Sequence, residues 1–158
     1  MRRRPRTALA SALLGGFVAG TVDIVAAALI SRQNPIVITQ YIAAGLLGRR
    51  SLELGFRSAS LGLVVQWALS ILIALIFAFA AQKLTALTRR WVLSGIAYGI
   101  VTFFVMNYAV LPLSALHRTP HFSWPLFAEN LGAMMVFGLI VAFFARDTYR
   151  PGHISMGV

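Results

Sequence analysis

Hydrophobic positions along this chain collect in four long runs, at residues 8–31, 60–81, 91–115 and 124–145, separated by short stretches that hold most of the charge. A helix rises ~1.5 Å per residue, so about 20 apolar residues cross the ~30 Å hydrocarbon layer of a bilayer. Each run is long enough. Trp91 and Trp124 open the third and fourth runs, where indole side chains favour the lipid–water boundary, and Lys83, Arg89, Arg90, Arg146 and Arg150 flank apolar ends. The expected fold is all-α: an integral membrane four-helix bundle, forming a single transmembrane domain over residues 1–158.

Between the first two runs lies a shorter apolar segment, residues 35–48. As a helix it reaches only about 21 Å, too short to cross. Asn34 is placed to cap it, Pro35 suits the first helical position, and Gly48 followed by Arg49 and Arg50 supplies a stop at the negative end of the dipole. Two placements fit such a helix: flat on the bilayer surface, or re-entrant as a lid over a site.

Composition agrees with the pattern. Of 158 residues, 59% are hydrophobic and 11% charged, and the mean hydropathy is +0.80. A soluble domain carries roughly 25% charged residues. With helices set against lipid as apolar as leucine, packing and hydrogen bonds must drive their association. The chain has no cysteine, which excludes disulfides and thiolate chemistry.

The net charge of +10 raises nucleic acid as a partner. The basic residues are spread around the ends of the apolar runs and no recognition motif accompanies them, so no nucleic-acid role is expected. Membrane topology accounts for them instead. With four spans both termini share one side, which holds Arg2, Arg3, Arg4, Arg6, Lys83, Arg89, Arg90, Arg146 and Arg150 against Arg32, Arg49, Arg50, Arg57 and Arg118 on the other. That bias places both termini of a multi-pass membrane protein in the cytoplasm. A cleaved signal peptide is the competing account of the first run. The run exceeds the usual h-region of about 7–15 residues and carries Asp23 before any small-residue cleavage site, which favours an uncleaved span.

Only four residues are acidic, and two of them, Asp23 and Glu129, stand inside membrane-length runs. A charged side chain at the centre of a bilayer costs roughly 2.5 to 3.5 kcal/mol on insertion scales, so it persists where it faces protein, water or a partner. In the first run Gly16, Gly20, Asp23 and Ala27 share one helical face, which turns Asp23 towards another helix. The second repeats the device with Gly62, Gln66, Ser70 and Ala74, and the third carries Gly95 and Gly99 with Thr102 and Asn107 beyond. Such small-residue faces pack helices within one subunit or form a dimer seam. Counted from the end of each span on the side of segment 35–48, Asp23 lies about 12 Å deep, Gln66 about 9, Asn107 about 12 and Glu129 about 8. One polar layer is expected, with Asn130 and Tyr108 beside it and His117 and His121 in the loop above.

The stretches QYIAAGLLG at 40–48, GTVD at 20–23 and MNYAVLPLSA at 106–115 resemble a family of small bacterial inner-membrane proteins to which no reaction has been assigned. The resemblance spans most of the chain. It implies four membrane helices, with Asp23, Gln40 and Asn107 at recurring positions. That family often carries histidine in its second and fourth spans, near the places held here by Gln66 and Ala133, so no histidine-dependent role follows.

Two accounts of the polar layer stand. In one, Gln66 and Asn107 satisfy Asp23 or Glu129 and set helix register, in pairs contributing about 0.6 to 2 kcal/mol. In the other, a carboxylate exchanges protons or holds a cation at a site open to the outer face. The candidate ligand or proton-site residues are Asp23, Gln66, Asn107, Glu129, Asn130, Gln40 and Tyr108. Catalysis lacks a motif: there is no nucleophile elbow, phosphate-cradling loop or dinucleotide fingerprint, and no cofactor is expected. His117 and His121 have metal-like spacing, but Pro120 breaks a helix between them and no third ligand is near, so no metal is expected. The leading expectation is an accessory or interaction subunit in the lipid bilayer, with a protein partner or as a homo-oligomer. The alternative is a small proton- or cation-coupled transporter acting as an oligomer. The tail from Arg146 to Val158 is short, polar and glycine-containing, and is expected to be disordered.

Overall fold

A computed structural model of the chain describes residues 7–117 and 123–146. Its helices are α1 (Ala8–Ser31), α2 (Pro35–Leu47), α3 (Phe56–Lys83), α4 (Thr85–Arg89), α5 (Trp91–Leu113) and α6 (Trp124–Ala145). Among the described residues there is no strand. Four of these helices, α1, α3, α5 and α6, are long and apolar enough to cross a membrane. The all-α four-helix bundle is therefore what the chain forms, with α2 as its extra short helix.

Local chemistry accounts for the ends. Thr7 Oγ1 accepts the Ala10 N–H at 3.2 Å, and Asn34 Oδ1 accepts the Ile36 N–H at 2.9 Å with Pro35 beginning α2. At the other end of α2 the Gly48 N–H donates to the Ala44 carbonyl at 2.9 Å, and its φ of 71° is one that glycine adopts without strain.

Three boundaries differ from those of the apolar runs, one of them being the end of the second span, which runs on to Lys83 rather than ending at residue 81. The helix of the second span begins at Phe56 rather than at residue 60, because Gly55, at φ 59°, makes the turn and a first turn carrying Arg57 and Ser58 continues the helix past the apolar stretch. The third stops at Leu113, and its last turns widen into a π-helical segment, Met106–Val110. Pro112 follows two residues after that segment. It has no N–H to give and its ring crowds the carbonyl four residues back, so the ladder must widen ahead of it. Beyond that end the Ala115 N–H donates to the Gly45 carbonyl at 2.8 Å, tying the chain after α5 to α2.

In the bundle α1 packs between α3 and α6, α5 lies along α6, and α2 packs on α3. One cluster of buried residues fills the half nearer α4: Ala8, Ala12 and Ala19 of α1, Ala74, Phe77, Ala78 and Ala81 of α3, and Phe137, Val141, Ala142 and Ala145 of α6. Alanines let backbones approach, which is how helices gain contact in lipid. Tyr98 closes α5 onto α3: its ring lies 4.9 Å from that of Phe77, and its hydroxyl donates to the Ile73 carbonyl at 2.7 Å.

The short helix α2 crosses the opening turns of α3. Thr39, Ala43 and Ala44 are its buried residues, and Ser58, Ala59 and Gly62 are buried in the facing turns. Gly62 permits the crossing, since a Cβ there would collide with the Thr39 carbonyl. Gly62→Val is therefore expected to lift α2 from the bundle at a cost of about 1–3 kcal/mol. Trypsin is the probe, because Arg49 and Arg50 are exposed in the turn that α2 anchors. Cleavage there should accelerate while the helical circular dichroism of the spans is retained.

Candidate functional site

The carboxylate of Asp23 meets a partner across the α1–α3 seam. Gly16 and Gly20 bring α1 so near that a Cβ at Gly16 would stand 2.5 Å from Ile71 Cα, and one at Gly20 2.5 Å from Ser70 Oγ. One turn further on, Gln66 Nε2 donates to Asp23 Oδ2 at 2.8 Å. Gln66 is buried and Asp23 partly so. Beside the pair Trp67 Nε1 donates to Thr21 Oγ1 at 3.2 Å, Thr21 donates to the Phe17 carbonyl at 2.8 Å, and the Trp67 and Phe17 rings lie 4.7 Å apart. Two interhelical hydrogen bonds thus lock α1 and α3 in register directly above a seam of small residues.

The other residues singled out in the sequence stand elsewhere. Asn107, inside the π-helical segment, donates from Nδ2 to the Phe103 carbonyl at 2.9 Å. Asn130 donates likewise to Leu126 at 2.7 Å. Both amides thus serve their own helix, and no described hydrogen bond joins either to Asp23 or Gln66. Gln40 works at the end of the bundle: its Nε2 donates to the Gly55 carbonyl at 2.9 Å, and its carbonyl accepts from Ser51 Oγ at 3.1 Å. It pins the turn between α2 and α3. Tyr108 is exposed, stacked on Phe104 at 5.9 Å.

Glu129 is exposed on α6, with no hydrogen bond or ion pair among the described residues. It stands five residues after Trp124, which is itself 85% exposed, hence about 8 Å along the helix from that boundary residue. The acids of the spans therefore have opposite settings: Asp23 is engaged inside the subunit, and Glu129 faces outward.

No protein-family model, curated protein or solved structure matches this chain. What the site can do rests on its geometry.

One carboxylate held by one amide is a clamp between helices. Asp23 Oδ1 retains acceptor capacity, so the pair could also receive a proton or a donor from a second group. A hydrolase-like pair of acids would need Asp23 and Glu129 to converge, and one is joined to Gln66 of α3 while the other is exposed. Among the described residues no group of three or more His, Asp or Glu side chains could hold a metal ion. His117 is exposed, and His121 lies outside the described residues, as do the basic N-terminal cluster and the tail from residue 147.

Sequence reasoning passed over Thr21, Trp67 and Tyr98. A signal existed for Trp67 and Tyr98. Each lies within a span rather than at its boundary, and an indole N–H or phenol held at membrane depth needs a protein acceptor.

Proposed function

We propose that this chain is an accessory or interaction subunit of a bacterial inner membrane, with both termini in the cytoplasm, which binds a partner membrane helix through the exposed face of α6. The observation that carries the reading is Glu129: a carboxylate exposed on a membrane span, with no partner among the described residues. Such a group is stabilised by a cationic or hydrogen-bond-donating side chain supplied from outside the chain. Exposed Trp124 on α6 and exposed Tyr108 on α5 add aromatic surface near the same end of the bundle. The engagement of Asp23 by Gln66 supports the same reading, because that acid already has a use within the fold. The termini follow from the excess of arginine and lysine on their side.

Extraction in native-lipid particles, followed by mass measurement, tests the proposal. The wild-type particle should hold a second polypeptide, and Glu129→Leu should release it while the unfolding midpoint of this chain stays within about 0.5 kcal/mol. If instead the chain alone in vesicles moves protons or cations, and Asp23→Asn stops the flux, the oligomeric transporter replaces the subunit.

A further inference from the structure

At the end of the bundle opposite α2, where α4 turns into α5, an open cavity of about 310 Å³ is lined by Arg89, Arg90, Trp91, Val92, Leu93 and Ile96. Its chemistry is divided. Arg89 and Arg90 are exposed, and neither pairs with an acid among the described residues. Below them Val92 and Leu93 are exposed at 46% and 62%, forming a wall that enters the membrane span. Trp91 stands half-buried between the two regions. The neighbourhood is cationic as well. Arg146 at the end of α6 lies over the Phe143 ring at 4.1 Å and the Trp91 ring at 5.5 Å, and Lys83 closes α3 at the same end. The described acids, Asp23, Glu53 and Glu129, all lie in the half towards α2.

We infer that this cavity is a binding site for an anionic phospholipid, with the phosphate between Arg89 and Arg90 and an acyl chain along Val92, Leu93 and Ile96. Guanidinium groups match phosphate oxygens through paired N–H donors, and basic pockets at the ends of membrane helices take acidic headgroups. The volume lies at the low end for small-molecule sites, enough for a headgroup whose tails remain in the bilayer. A soluble phosphate would use the arginines and leave the apolar wall unused, so the wall selects the lipid over the free anion. The inference is independent of the partner proposed for α6.

The test is native mass spectrometry of the full chain released from particles containing phosphatidylglycerol or phosphatidylcholine. Wild type should retain one phosphatidylglycerol in preference to phosphatidylcholine. At about fivefold per arginine near a charged surface, Arg89→Gln with Arg90→Gln should weaken retention on the order of twentyfold. Arg49→Gln with Arg50→Gln, which removes an exposed pair from the opposite end, should leave retention within about twofold of wild type, since those arginines lie beyond a Debye length of about 10 Å from the cavity. Both variants change exposed side chains, and circular dichroism confirms that each folds. Equal loss in the two variants would reduce the effect to bulk charge and overturn the site. Unchanged retention in the Arg89 and Arg90 variant would also overturn it, as would displacement of the lipid by millimolar inorganic phosphate, which would assign the arginines to a free anion.

Discussion

Gly99→Val should part the third span from the fourth. The α5–α6 seam is a contact of backbones: a Cβ on Gly99 would collide with the Met134 carbonyl, one on Gly138 with the Gly95 carbonyl, and one on Gly95 would lie 2.9 Å from the Gly138 carbonyl. Three glycines on two helices make the approach, and none of the atoms they meet is the flexible end of a side chain. Neighbouring aromatic contacts, Phe103 with Phe127 at 5.2 Å and Trp91 with Phe143 at 5.7 Å, depend on the same separation. Overpacking costs about 1–3 kcal/mol where neighbours can shift, and the cost here should reach or exceed the top of that range. Unfolding by titration with a denaturing detergent reads the effect, with Gly132→Val on α6, where a Cβ meets nothing within 4 Å, as the benign control. If Gly99→Val altered the oligomeric state and spared the unfolding midpoint, the glycines would belong to a seam between copies.

Gln66→Leu carries the second large effect, because it removes the donor from Asp23 and leaves the carboxylate at a helix seam without a partner. An abandoned buried polar group costs about 1–3 kcal/mol, and more when charged. Asp23→Asn is expected to be mild, since an amide oxygen still accepts from Gln66 Nε2. The double variant Asp23→Leu, Gln66→Leu should recover most of the loss, because replacing both partners by apolar groups of similar size is nearly neutral. The same detergent titration measures all three. A single Gln66→Leu variant as stable as wild type would show that the bond at 2.8 Å contributes nothing to holding α1 on α3.

These two seams explain how much of the molecule could be read from its residues in order. Span number, the short helix at 35–48 and its Asn34, Pro35 and Gly48 signals depend on length, hydropathy and capping, all local properties. The faces carrying Gly16, Gly20 and Asp23, and Gly62, Gln66 and Ser70, were likewise legible, because helical periodicity alone places them. Which faces meet was not. Depth along a span is shared by every helix of a bundle, so equal depth predicted one layer of Asp23, Gln66, Asn107 and Glu129, yet only Asp23 and Gln66 join. Rotation about each helix axis decides the rest, and packing sets it.

Asn107 shows the limit most clearly. Its polarity within a span reads as a site, but Pro112 distorts the helix end and the Asn107 amide donates to the Phe103 carbonyl of that same helix. No pattern of hydropathy contains that distortion. The chain by itself determined that it has four helices long and apolar enough to cross a bilayer and that they carry small-residue faces, because the ~30 Å of hydrocarbon imposes length and composition on any helix that crosses it. The assembled helices determined that Asp23 is bound by Gln66 while Glu129 faces out, because the direction of a side chain depends on which neighbour its helix turns towards.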